Sequence, residues 1–161
     1  MRDPAHEVRG ALFPGTVAAV LSSAVLTACG WIENRRALAP HNGPSQWVYG
    51  VAAGYRRKPT LRQTVPGFCI HHVSSIWWAL VQQRIFPVRR RPRSLGRHLA
   101  EGSAMAALAG FVDYGVVPER LQPGFEKHVS LPSLIAAYVA FGAGLGLASW
   151  LRQRKVGSGR G

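Results

Sequence analysis

Long apolar stretches alternate with short basic ones along the chain. The stretch 11–32 contains 22 residues and no charged side chain, which is enough for a helix to cross a hydrocarbon core of about 30 Å. Two further stretches, 63–83 and 129–151, also lack Asp, Glu, Lys and Arg. The pattern therefore predicts transmembrane helices at about 11–32, 65–86 and 129–151.

A further predicted span is less apolar than these three. Its uninterrupted apolar run, Gly102 to Val112, has only 11 residues, and it reaches membrane length only by including Glu101 and Asp113. A buried or re-entrant segment is the alternative interpretation. We predict a full span at about 98–117, because arginines precede it and Pro118 closes it.

Small residues recur at every fourth position in three of the predicted spans. On a helix this spacing makes a smooth ridge, which lets a neighbouring backbone approach closely. Packing within the bundle is the simpler interpretation, and an interface with a second copy or with a membrane-protein partner is the alternative. The ridges comprise Gly15, Ala19 and Ser23; Gly102, Ala106 and Gly110; and Ala136, Ala140, Gly144 and Ala148, with Gly142 and Gly146 beside the last set.

The four segments predict an all-α, single-domain integral membrane four-helix bundle.

The charge of the chain indicates its partner and its orientation. Lys and Arg number 20 against 7 Asp and Glu. Because these cations lie between apolar runs, they fit a lipid bilayer as partner better than nucleic acid. The amino-terminal tail, the connection 84–97 and the carboxyl-terminal tail carry 12 of the cations and the other loops carry 8. This bias predicts that both termini are cytoplasmic in a bacterial inner membrane.

The remaining segments and one targeting signal complete the sequence prediction. Residues 33–64 form a long external loop, with a short interfacial segment at Trp47 to Tyr49, and 157–161 form a flexible tail. The residues Leu26 to Cys29 match a lipoprotein cleavage pattern. An intact first span is the preferred prediction, and lipidation of Cys29 is the alternative.

Polar side chains inside the predicted spans mark the candidate site. His71, Ser75 and Gln82 share one helix face, with His72 beside it. Polar groups in hydrocarbon are costly unless they find partners, so this face is expected to point inward. The full predicted cluster is His71, His72, Ser75, Gln82, Glu101, Asp113 and Tyr114.

The antiparallel order of the spans predicts which of these groups meet. His71 and Asp113 lie at similar depth near the outer end, and we expect them to pair. Glu101 lies near the inner end, where we expect contact with Gln82 or with an arginine.

Several functions fit this predicted cluster. An accessory or structural role, with interhelical hydrogen bonds that fix the bundle, is the preferred hypothesis. The alternatives are haem or metal binding, for which His71 and His72 are the candidate ligands, and handling of protons or of a small solute. The two rings point about 100° apart on a regular helix, which disfavours a shared metal. No nucleophile with an evident base is present, so the sequence identifies no catalytic residue and no cofactor.

Two motifs resemble those of short, uncharacterised bacterial membrane proteins with four spans. One contains Gly67, His71, His72, Ser74, Trp78 and Ala79, and the other contains Asp113, Tyr114, Pro118, Leu121, Pro123, Gly124, Phe125 and Glu126. The resemblance covers about half of the chain and implies a bacterial inner membrane protein. It implies no activity, and it directs attention to the turn from Leu121 to Glu126.

Overall fold

The computed structural model describes residues 4–87 and 93–158, and over these ranges the chain is helical with no strand. The four long helices are α1 (Pro4–Asn34), α4 (Leu61–Ile85), α5 (Leu95–Phe111) and α6 (Leu131–Ser158). Two short helices, α2 (Gln46–Tyr49) and α3 (Val51–Gly54), lie between α1 and α4. The all-α prediction is confirmed, and each predicted span coincides with a long helix.

Two of the long helices are sufficiently long and apolar to cross a membrane. They are the segments Glu7–Asn34 of α1 and Leu131–Lys155 of α6. Helix α4 is 25 residues long but carries polar side chains, and α5 has 17 residues. By length and composition alone, therefore, the described residues support two membrane-crossing helices.

Helix α5 begins and ends at recognisable signals. The Ser94 side chain accepts a hydrogen bond from the Arg97 amide, which caps the first turn. At the other end α5 continues as a π-helical turn, Val112–Val116. Val117 is extended, as expected for a residue before proline. The predicted end of this helix before Pro118 is confirmed.

The four long helices run up and down around a square. Helix α1 packs against α4 and α6, and α5 packs against α6, whereas α4 and α5 have few contacts. The three packed edges use small residues at their closest points. A Cβ on Gly144 would lie 2.7 Å from Ala18 Cα, and one on Gly146 would lie 2.6 Å from the His98 carbonyl oxygen. At Gly102, Gly144 and Gly146, therefore, the small residues serve packing within the chain, whereas Ala136 of the last ridge is exposed.

The described ends of the chain, the start of α1 and the end of α6, lie at one end of the bundle, which we call the terminal end. The Arg84 guanidinium binds the Glu7 carboxylate at 3.0 Å, and Arg152 donates to the Gly10 carbonyl oxygen at 2.8 Å. Both described ends of the chain thus meet the last turn of α4, since Arg152 also donates to Gln83 Oε1 at 2.8 Å. Helix α6 continues to Ser158, into the segment 157–161 expected to be a flexible tail, of which 159–161 lie outside the described residues.

The long loop forms the other end of the bundle, which we call the loop end. A 3₁₀ segment, Ala39–Ser45, packs against α4 and α1, and every residue in it is buried. The following helix α2 leaves Trp47, Val48 and Tyr49 exposed, at the place where a short interfacial segment was predicted. Burial of the segment before it was not predicted.

Candidate functional site: a cavity between α4 and α5

A cavity of about 230 Å³ lies on the loop-end side of the bundle, where α4 and α5 separate. Helices α1 and α6 form its floor through residues such as Leu26 and Ala137. Pro44, Leu121 and Pro123 of the two loops cover its outer end. The cavity is therefore lined by all four long helices and by both connections at the loop end, and it is open on one side.

The walls of the cavity are mainly aromatic and aliphatic. The small side chains of Ala109 and Ala137 leave the cavity unfilled, and larger side chains surround it. Toward the terminal end the bundle is filled instead, by a core that includes Met105, Phe141 and Leu145. The aromatic residues that line the cavity are Trp47, Trp77, Trp78, Phe125, Tyr138 and Phe141.

A carboxylate and a phenol form the polar group on the α5–α6 side of the cavity. The Tyr138 hydroxyl donates to Asp113 Oδ2 at 2.6 Å. Tyr114 lies beside them, with its ring at 6.3 Å from the Tyr138 ring in an edge-on arrangement. This Asp113–Tyr138 bond joins the π-helical turn to α6 and places a carboxylate in an otherwise apolar wall.

A histidine forms the polar group on the opposite wall. His71 Nε2 lies 3.0 Å from Ser22 Oγ, and the Ser22 hydroxyl donates to the Ala18 carbonyl oxygen at 2.8 Å. Because the Ser22 proton is committed to that carbonyl, Ser22 Oγ accepts from His71. This assigns the neutral ring the tautomer with its proton on Nε2, which leaves Nδ1 as an acceptor.

Two other histidines contact α1 in the same way. His72 Nε2 lies 3.0 Å from Thr16 Oγ1, and His41 Nε2 lies 2.8 Å from Thr27 Oγ1. Each ring therefore joins α4 or the buried loop to a hydroxyl on α1. These bonds support the expected role of the polar face in fixing helix packing.

The predicted polar cluster is divided between separate places. The hydrogen bond expected between His71 and Asp113 is not formed, because each has a different partner, although both line the cavity. Ser75 donates to the His71 carbonyl oxygen of its own helix at 2.8 Å, and Gln82 is buried toward the terminal end. Counting residues from the ends of the spans predicted that His71 and Asp113 lie at the same depth. It could not show that a cavity lies between them.

Glu101 lies apart from the cavity, near the terminal end. Its Oε1 accepts from Arg93 Nη1 at 2.8 Å and from Arg97 Nε at 2.9 Å. The predicted contact of Glu101 with an arginine is confirmed. His98 is buried next to it and hydrogen bonds to Gln153 of α6 at 2.8 Å, so this group ties the start of α5 to the end of α6.

Sequence reasoning missed the polar groups that hold the loop end together. Asn42 is fully buried and its amide donates to the carbonyl oxygens of Arg56 and Lys58. Gln46, also fully buried, donates to those of Glu119 and Gln122. The resemblance had drawn attention to the turn from Leu121 to Glu126. No spacing in the sequence, however, predicts that this turn contacts the loop that contains Asn42 and Gln46.

Two histidines at the loop end were also missed as structural residues. His41 and His128 are buried, and His128 Nε2 donates to the Gly54 carbonyl oxygen at 2.6 Å. Burial, which disfavours the charged ring, lowers the pKa of both side chains below the ordinary histidine value. Both rings are therefore neutral near pH 7.

Metal ligation is not favoured by the arrangement of these side chains. The described ranges contain no group of three or more His, Cys, Asp or Glu residues positioned to hold a metal ion. His71 and His72 bind different hydroxyls of α1 and do not converge. Cys29 and Cys69 are free thiols, and Cys29 lies within the uninterrupted helix α1.

Comparison with known proteins gives no relative from which a function can be transferred. No protein-family model matches the chain, and neither the curated proteins nor the solved structures contain a match.

Proposed function

We propose that this chain is a four-span membrane protein that binds a small hydrophobic ligand in the cavity between α4 and α5. The cavity itself is the observation that carries the proposal. Binding pockets are concave and mainly apolar, with few polar groups that orient the ligand. The wall carries His71 on one side and Asp113 with Tyr138 on the other, among aromatic side chains.

Membrane placement is supported by the large apolar side chains that all four long helices expose. On α4, Val73 is 66% exposed and Trp77 58%, and on α6, Val139 is 64% exposed. A water-soluble protein rarely exposes so many large apolar groups over several helices. In a bilayer the same apolar surface contacts lipid chains, which are also apolar. Buried polar side chains such as Ser22 and Ser75 give the complementary interior.

The lengths of the less apolar helices also suit a bilayer. Helix α4 has 25 residues, which is about 37 Å at the rise of an α-helix and exceeds a hydrocarbon core of about 30 Å. Helix α5 gains length from the π-helical turn that follows it. Glu101 accepts from two arginines, and Asp113 of that turn accepts from Tyr138, so that both carboxylates have partners within the protein.

A structural role for the remaining polar groups is part of the same proposal. The bonds from His41, His71 and His72 to α1 hold one side of the cavity in place. A rigid pocket binds more tightly than one that must be ordered by its ligand. In the proposed bundle, therefore, the histidines position the site, and an accessory function would act through the bound ligand.

Tryptophan signals give a direct test of this proposal. Of the five tryptophans, Trp47, Trp77 and Trp78 line the cavity, whereas Trp31 and Trp150 do not. Neopentylbenzene, a neutral aromatic hydrocarbon, would be titrated into the full chain in lipid nanodiscs, and the indole N–H signals followed by NMR. We expect saturable shifts for the three cavity tryptophans and none for the other two.

A matched pair of variants on one helix locates the binding. Val112 lines the cavity, whereas Leu108 is exposed one turn away and does not line it. Val112→Phe is expected to abolish the saturable shifts by filling the cavity, and Leu108→Phe to leave them unchanged. Equal, non-saturable shifts of all five tryptophans would instead indicate partition into lipid and would reject the proposal.

A further inference from the structure

We propose that the ligand of this cavity is a lipophilic monocation, with Asp113 as its counter-ion and the aromatic side chains as its walls. This inference rests on the proposed ligand-binding function and specifies the chemistry of the ligand. Three properties of the cavity lining support it: its charge, its aromatic content and the acceptors that His71 and Asp113 offer.

The charge of the lining is opposite to that of the protein. The chain has 20 Lys and Arg residues against 7 Asp and Glu, yet the lining of the cavity contains Asp113 and no Lys or Arg. An anionic ligand would meet a carboxylate and no compensating cation, at a cost that grows in a low-dielectric site. A cation would instead gain an ion pair there.

The aromatic rings provide the second part of a cation site. Trp77 and Trp78 come from α4, Tyr138 and Phe141 from α6, and Trp47 and Phe125 from the loop end. An aromatic face carries partial negative charge and attracts a cation, most strongly when the site is dry. Several rings around one carboxylate thus form a surface that accepts both the charge and the apolar groups of an organic ammonium.

The two polar groups on opposite walls of the cavity, His71 and Asp113, both offer acceptors. The Tyr138 proton is directed to Asp113 Oδ2, and the His71 Nε2 proton to Ser22. The second carboxylate oxygen and His71 Nδ1 remain as acceptors. A ligand whose polar group only accepts, such as a ketone or an ester, finds no matching donor in these two groups. An ammonium, which is positive and donates when it carries hydrogen, matches them.

A pair of isosteric probes isolates the effect of charge. Benzyltrimethylammonium and neopentylbenzene have the same shape and differ in one central atom, a positively charged nitrogen or a neutral carbon. Each would be titrated into the full chain in nanodiscs of zwitterionic lipid, with concentrations expressed per lipid and the cavity tryptophans as the readout. We expect the cation to bind at least about tenfold more tightly than the neutral probe.

Charge-removing variants assign the effect to one carboxylate. Asp113→Asn keeps an oxygen that accepts from Tyr138 but removes the charge. We expect it to weaken binding of the cation by about tenfold or more and to leave the neutral probe unaffected, which also shows that the cavity is intact. Glu7→Gln is the matched control, because Glu7 binds Arg84 at the terminal end and does not line the cavity.

The possible results separate this inference from the function on which it rests. If the neutral probe binds as tightly as the cation in the unmodified protein, the cation proposal is overturned and the ligand-binding proposal stands. If a neutral alcohol such as neopentyl alcohol binds more tightly than the cation, the cation proposal is likewise overturned and the ligand-binding proposal stands. If neither benzyl probe shifts the cavity tryptophans, both proposals fail. The comparison of probes in the unmodified protein decides the matter even if Asp113→Asn does not fold.

Discussion

Hydroxyl groups on α1 hold the histidine rings of the neighbouring segments, one hydroxyl to one ring. For His71 the acceptor is Ser22, which is 2% exposed. Replacing Ser22 with Ala leaves the ring nitrogen without its partner. We expect the free energy of unfolding in the membrane to fall by about 1 kcal/mol, the usual size of such interhelical bonds.

Unfolding in mixed micelles, followed by tryptophan fluorescence, measures this change. Ser103→Ala is the control, because Ser103 is exposed on α5. If both variants lose equal stability, the hydroxyl of Ser22 contributes nothing specific through His71.

The buried histidines of the loop end make stability dependent on pH. The pKa values of His41 and His128 are lowered by burial, whereas in the unfolded chain both histidines titrate at about 6.5. Between these values the unfolded state binds more protons, so stability is fully present above about pH 6.5 and is lost as the pH falls toward the folded-state values. We expect a lower unfolding midpoint at about pH 5.5 than at about pH 7.5.

The variant His41→Asn tests the source of this pH dependence. It removes one of the two titrating rings, so the unfolding midpoint should change less between the two pH values than in the unmodified protein. A pH dependence of undiminished size would show that His41 does not contribute to it.

At the scale of elements, α5 and α6 approach each other through glycine. A Cβ on Gly102 would overlap the Gly142 carbonyl oxygen, whereas one on Gly96, in the same helix, would meet nothing within 4 Å. Gly102→Ala should therefore cost about 1–3 kcal/mol through overpacking. Gly96→Ala should be neutral or stabilising, because alanine favours helix by up to about 1 kcal/mol. Unfolding midpoints of the two variants decide this, and equal midpoints would contradict the close approach.

The junction between α5 and the preceding connection depends on a buried ion pair. Glu101 is 5% exposed and binds Arg93, whose side chain is 17% exposed. We expect Glu101→Gln to cost about 1.5–3 kcal/mol, the range for hydrogen bonds to charged groups. Glu7→Gln breaks an exposed pair with Arg84 and should cost at most about 1 kcal/mol. A smaller loss for Glu101→Gln than for Glu7→Gln would show that burial does not strengthen this pair.

Patterns within one segment were predicted well, and contacts between distant segments were not. Hydropathy located α1, α4, α5 and α6, because each helix satisfies its backbone hydrogen bonds within itself. The burial of Ala39–Ser45 depends instead on Gln46 and Asn42 finding partners far along the chain. In the same way, the positions of His71 and Asp113 within their spans predicted that the two residues lie at similar depth. Only the assembled helices show the cavity between them.

At the scale of the whole molecule, both described chain ends lie beside the last turn of α4, at the terminal end. The proposed membrane topology then places Lys58 outside the cell and Arg154 inside. Single cysteines at these exposed positions, in a chain with Cys29 and Cys69 replaced by Ala, would be treated with a membrane-impermeant maleimide in intact bacteria. We expect labelling of Lys58→Cys and none of Arg154→Cys until the cells are opened. Equal labelling in intact cells would contradict the topology.

The interlocked loops at the loop end have a consequence for biogenesis. Gln46 is fully buried, yet its amide bonds to carbonyl oxygens of Glu119 and Gln122, which are synthesised more than seventy residues later. While the chain emerges from a ribosome, this amide has no native partner until the segment that follows α5 has been synthesised. The loop therefore closes last, and a polypeptide stalled before Glu119 would present an unfinished surface that proteases could recognise and remove.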